Sequence, residues 1–235
     1  MDRRSFIESC AAQLGCASAA AALPGAWASD ARPREYSNAL LVDEQRRPVK
    51  AASLRPLTNY VFHYPFEATP VFLLDLGKTA APATLSTRDS DSYVWPGGVG
   101  PRRSIVAFSA ICAHRLVYPT RQVSFISFRK TRAAKGVRDE LIHCCSENSQ
   151  YDPAQGARVL AGPAEQPLCA VLLAHDPKAD TLTAFGTLGG ELFDEFFRKY
   201  EMKLSLEVGA RAINPVGAQA VVRELDQFCR NTIQC

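Results

Sequence analysis

The chain holds eight cysteines and four histidines, and their spacing concentrates them at two places. Cys112-Ala113-His114 is a Cys-x-His step, and His143-Cys144-Cys145 follows further along. Thiolate and neutral imidazole ligate zinc and iron–sulfur clusters alike, so two short segments carrying them form a candidate metal site. As residue types alone, Cys112, His114, His143 and Cys144 would suit one tetrahedral zinc ion. The remaining candidates have weaker patterns. Cys229 and Cys235 lie close together in a polar stretch, where an oxidising compartment would favour a small disulfide between them. Cys169 sits in an apolar run and reads as a small buried side chain. His63 and His175 have no partner at ligand spacing. Gly97-Gly98-Val99-Gly100 lacks the Lys-Ser/Thr pair and following helix of a phosphate loop, and no Ser/His/Asp arrangement is visible.

Short, punctuated β signals surround both segments. Residues 57–64, 71–76, 104–109 and 123–128 read as strands from their β-branched and aromatic content. Residues 168–174 and 181–185 read as a hairpin across His175-Asp176-Pro177-Lys178, a turn-forming stretch. Breakers stand at Trp95-Pro96-Gly97-Gly98, Asp152-Pro153 and Gly162-Pro163. Many short strands at close spacing predict a mainly β fold, an antiparallel β-sandwich or a small barrel. After Gly189-Gly190 the texture changes. Residues 191–200 predict an amphipathic helix with Leu192, Phe193, Phe196 and Phe197 on one side. Residues 217–229 predict a second helix, with Val221, Val222, Leu225 and Phe228 at helical spacing. The expected organisation is a lead-in over 29–56, a β domain over 57–187 and a helical C-terminal extension over 188–235.

Ser149-Gln150-Tyr151-Asp152 follows the second cysteine pair, and Gly162-Pro163-Ala164 comes next, ahead of the hairpin. Taken together, residues 105–186 resemble the Rieske [2Fe–2S] iron–sulfur family. That family places Cys-x-His in one loop, Cys-x-x-His-Gly-Ser-x-Tyr/Phe-Asp in a second, and a Gly-Pro-Ala loop beyond. The resemblance implies a Rieske-like β-sandwich with inserted ligand loops, here 111–118 and 142–164. Two thiolates hold one iron and two imidazoles the other, which raises the potential to roughly −150 to +300 mV. By this resemblance Cys112 and His114 are the first ligand pair and Cys144 the third ligand. Ser149 and Tyr151 match hydroxyl donors to a bridging sulfide and to a cysteine sulfur.

The sequence also departs from the family. Glu147 stands where the fourth ligand histidine belongs, and Asn148 where the glycine follows it. Val117 and Ser146 occupy the positions of the disulfide that many respiratory members carry between the loops. Three readings stay open. His143 or Glu147 completes an altered site with Cys112, His114 and Cys144 or Cys145, a carboxylate lowering the potential relative to imidazole. Alternatively Cys145 supplies a third thiolate, again lowering it. In the third reading the cluster is lost and the fold serves as a structural or assembly subunit.

The composition is that of a globular protein: 235 residues, 47% hydrophobic, 22% charged, net charge +3. Such balance gives no reason to expect nucleic-acid binding. Arg3-Arg4-Ser5-Phe6-Ile7, an uncharged stretch over 9–28 and Ala26-Trp27-Ala28 resemble a Tat-type signal peptide over 1–28. That route exports proteins already folded, so the expectation is a periplasmic protein that takes its cofactor before export. The resulting expectation is one-electron transfer, as a carrier or small subunit of an oxidoreductase complex rather than a stand-alone enzyme. A c-type cytochrome or a larger redox subunit is the expected partner, with membrane contact only through that partner or an uncleaved N-terminus.

Overall fold

A computed structural model describes residues 32–130 and 140–235; the export segment expected over 1–28, with Cys10 and Cys16, lies outside the described residues. In chain order the strands begin with β1 (Arg34–Val42), β2 (Tyr60–His63), β3 (Pro70–Asp75), β4 (Ala83–Ser86), β5 (Ser92–Trp95) and β6 (Ile105–Ser109). Then come β7 (Val123–Ser124), β8 (Ile126–Arg129), β9 (Leu141–Cys144), β10 (Ser149–Asp152), β11 (Arg158–Ala161), β12 (Ala170–Asp176) and β13 (Thr181–Leu188). Helix α1 (Phe193–Glu207) follows, and the chain continues through β14 (Gln219–Val221), β15 (Arg223–Glu224), the one-turn helix α2 (Leu225–Phe228) and β16 (Asn231–Thr232).

The main sheet has eight strands in the order β14-β1-β13-β12-β6-β3-β2-β15. Its two edges belong to one continuous segment. Val221 pairs with Val42 of β1, and Arg223, two residues on, pairs with Val61 of β2. The segment 219–224 therefore closes the sheet on itself and leaves neither edge open. Closure explains strands that are apolar without alternation. In β3, Val71 and Leu73 point into the closed interior with Phe62, Leu41 and Leu182, whereas Phe72 and Leu74 join a second core outside it. Every residue of β3 and β6 is buried for this reason. The expected hairpin forms between β12 and β13, antiparallel from Ala170↔Leu188 to Asp176↔Thr181.

A small sheet, β11-β10-β9-β8, covers the outer face and shares the second core through Ile126, Phe128, Ile142 and Tyr151. The third core belongs to α1. Its Phe193, Phe196 and Leu204 pack on Ile111, Leu116 and Tyr118. Of residues 217–229, expected as one helix, only the single turn α2 is helical, and β14 and β15 precede it. Ala220 and Val222 enter the closed sheet, while Leu225, Phe228 and Cys229 turn to the second core. Apolar residues serving two different cores produced a spacing that imitates a helical stripe. The expected strand over 123–128 is also broken: β7 pairs with β16 and β8 with β9.

Candidate metal centre

The two ligand loops meet at the second core. The first runs from Cys112 to Val117, closed by Cys112 N–H donating to Val117 O at 2.8 Å and Leu116 N–H to Cys112 O at 2.9 Å. Helix α1 holds it from outside: Tyr118 stands edge-on to Phe196, ring centroids 4.9 Å apart, and Lys199 Nζ donates to Arg115 O at 2.6 Å. The second loop is the four-residue turn 145–148 between β9 and β10, which places Ser149 directly across from Cys144. Opposite residues of an antiparallel pair share a face, and Tyr151, two residues on, shares it too. Gly162 closes over this hairpin at φ +87°, and a Cβ there would come within 2.5 Å of Ser149 Cα.

Cys112 and Cys144 are both free and both fully buried, and their thiols lie close enough to shift each other's titration. Backbone N–H groups of His114 and Arg115 point at Cys112 Sγ, and those of Ser146 and Glu147 at Cys144 Sγ. Tyr151 Oη accepts from Ala113 N–H at 3.2 Å and lies 3.3 Å from Cys112 Sγ, leaving its own proton free for the sulfur. The Cys144 thiol, with help from Tyr151 and the two amides, holds the Cys112 thiol below the ordinary range against the opposing effect of burial. The Cys112 sulfur, together with burial, pushes Cys144 up. Without a cation the pair therefore gives up one proton readily and keeps the other.

Two buried atoms beside this pair have no partner among the described residues: His114 Nδ1 and Ser149 Oγ. Each is a group that a bound iron–sulfur cluster would satisfy, one as a ligand and one as a donor to sulfide. Cys112, Cys144 and His114 thus fit such a cluster. Glu147, expected at the fourth position, is half-exposed and lies 3.6 Å from the Arg115 guanidinium.

The structure does not bring His143 or Cys145 to this pair. Strand alternation turns His143 to the opposite face from Cys144, where its Nδ1 lies 3.7 Å from Cys235 Sγ. Burial, then the Arg129 charge, pushes the His143 pKa down. Cys145 is joined to Cys235 by a disulfide with Cα atoms 5.6 Å apart, across 90 residues of sequence. This corrects the expected Cys229–Cys235 bridge: Cys229 is free and buried, its thiol directed at Asn231 O at 3.0 Å. The same placement removes a zinc site from Cys112, His114, His143 and Cys144, and a cluster with Cys145 as third thiolate. Among the described residues, His143, Cys145 and Cys235 are the trio of donors lying within 4.8 Å of one another. Sequence reasoning missed Arg129, the pairing of Cys235 with Cys145 and the α1 contacts, since no local pattern joins these partners.

No family model matches the chain. Among solved structures it is similar to the soluble domain of the Rieske protein II (soxF) from Sulfolobus acidocaldarius, at 26% identity over 66% of this chain and 82% of that one, with a TM-score of 0.47.

Proposed function

We propose that the protein transfers single electrons through a Rieske-type [2Fe–2S] cluster with altered ligation, Cys112 and Cys144 on one iron, His114 and Glu147 on the other. The observation that carries this reading is the donor set around the sulfurs. Four backbone amides and one phenol converge on two thiols, and His114 Nδ1 and Ser149 Oγ stand buried without partners beside them. Neutral thiols have no need of so many donors; sulfur carrying negative charge does. The bound cluster would supply the one-electron step. The residues supply its environment. Tyr151 and the amides favour the state with more negative charge on sulfur and so raise the potential. Glu147, an anionic donor in place of imidazole, lowers it, and its carboxylate weakens the case for quinol oxidation coupled to a ligand histidine. Arg115 holds Glu147 against the first loop and would release it to the metal. His114, only half-buried, leaves the cluster edge near solvent, where a periplasmic c-type cytochrome or a larger redox subunit would dock.

The Arg115–Glu147 ion pair also favours a second reading, a cluster-free structural subunit in which the carboxylate is already neutralised. Iron and acid-labile sulfide content, with the EPR spectrum of the dithionite-reduced protein, separates the two. Two irons, two sulfides and a rhombic Rieske-type signal are expected. Folded protein without iron, whether isolated from the exporting host or reconstituted with iron and sulfide, would overturn electron transfer. Glu147→His is expected to raise the potential by on the order of 100 mV, since it removes one negative charge from the ligand set.

A further inference from the structure

We propose that Cys145–Cys235 is a thiol–disulfide exchange site for an external dithiol, with Arg129 as the positioning residue for the departing sulfur. The claim is independent of whether the Cys112–Cys144 pair holds a cluster. Arg129 is buried, 6% exposed, at the end of β8, and its guanidinium turns to the disulfide. Nη2 lies 2.6 Å from Cys145 Sγ and 3.4 Å from Cys235 Sγ, and Nη1 is bonded to Cys235 O. Its Nε is buried without a partner. A neutral disulfide gains little from an adjacent buried cation, whereas a thiolate gains a charge-assisted hydrogen bond.

The two sulfurs differ in their distance from the cation: Cys145 Sγ is the nearer to Arg129 Nη2, while Cys235 is the more exposed residue. Attack by an external thiolate at Cys235 Sγ therefore makes the sulfur beside Arg129 the leaving group. The new S–S bond forms there as the Cys145–Cys235 bond breaks, and the electron pair leaves with Cys145 Sγ as a thiolate beside Arg129. The second thiol of the dithiol then attacks its own bound sulfur and expels Cys235. Two electrons pass from the dithiol, which becomes a disulfide, and its two protons are taken up by the released cysteine sulfurs or by solvent. A better-stabilised leaving sulfur departs faster and favours the reduced pair. His143 stands beside Cys235, so the reduced trio could instead attract a thiophilic cation, but Arg129 already places positive charge against Cys145.

The full chain, equilibrated in graded dithiothreitol or glutathione buffers and trapped with a maleimide, reports the state of both cysteines by peptide mass mapping. The native disulfide is expected to be reduced without unfolding. Arg129→Gln is expected to shift the equilibrium about tenfold toward the disulfide and to slow reduction by a similar factor, with Arg129→Lys recovering most of both. Circular dichroism checks that each variant is folded. Wild-type protein challenged with glutathione alone provides a test that needs no variant: the mixed disulfide is expected on Cys235, and its appearance on Cys145 would overturn the proposal. Equal constants for wild type and Arg129→Gln would do the same, as would a disulfide reduced only in denaturant. Stoichiometric zinc uptake by the reduced protein, lost in Cys235→Ser, would assign the trio to metal and not to exchange.

Discussion

Tyr151→Phe deletes one oxygen from the most enclosed polar contact of the candidate centre, and its consequences separate into two readouts. Tyr151 is fully buried, and its Oη links Ala113 N–H to Cys112 Sγ at 3.2 and 3.3 Å. The ring stays in place in the variant, so no cavity larger than an oxygen opens. What is lost is the acceptor for a partly shielded amide and a donor to sulfur. Leaving such a group unpaired costs about 1–2 kcal/mol. For a domain of this size that lowers the melting temperature by about 3–6 °C. The effect on potential follows from the same proton. If the phenol is worth about 1 kcal/mol more to the reduced than to the oxidised site, its removal lowers the potential by about 40 mV, from 59 mV per factor of ten for one electron. Differential scanning calorimetry and an EPR-monitored redox titration measure the two. A destabilised variant with an unchanged potential would refute the assignment of the phenol to a redox sulfur. An unchanged melting temperature would refute the hydrogen bond itself.

Three further perturbations test how the site is held. Gly162→Ala imposes a side chain at φ +87° and drives its Cβ into the backbone of Ser149; a loss of about 2–4 kcal/mol in urea denaturation and of bound iron is expected. Phe196→Ala empties the centre of the α1 contact on the first loop, and about 3–5 kcal/mol is expected from the same measurement, with faster labelling of Cys112 by a thiol reagent. His63 supplies a pH dependence. Burial, then the Arg121 and Arg223 charges, hold its pKa down to about 4 from 6.5, so the fold favours the neutral ring. Its contribution is complete above pH 6.5 and is lost as the pH falls toward 4, at up to about 1.4 kcal/mol per unit. His63→Gln is expected to flatten the stability profile over that window, and a profile identical to wild type would show that His63 does not carry it.

Sequence sufficed wherever the interaction is local. Cys112-Ala113-His114 and Ser149-Gln150-Tyr151-Asp152 are short segments in which a turn or a strand fixes which side chains face together; the contact of the Cys112 sulfur with the Tyr151 phenol, 39 residues apart, was expected from the resemblance alone. The β12–β13 hairpin was legible for the same reason, its turn residues lying between its own strands. β1 was not, because its apolar residues gather at its end while Arg34, Glu35, Ser37 and Asn38 are exposed. Its place in the sheet comes from β13 and β14, far along the chain. The apolar spacing of 217–229 fitted a helix equally well, and only the two edges it bridges decided that it closes a sheet.

The site divides along the same line. Residue types marked Cys112, His114, His143 and Cys144, the family resemblance added Glu147, and the strand period alone would have set His143 apart from Cys144 once β9 was recognised. Tertiary structure decided the rest: that Cys145 is tied to Cys235 and not left for a metal, that Arg129 faces that bond, and that α1 braces the first loop. A side chain's neighbours in sequence are fixed by covalent geometry. Its neighbours across 90 residues are fixed only when burial of three apolar cores brings the strands that carry them together.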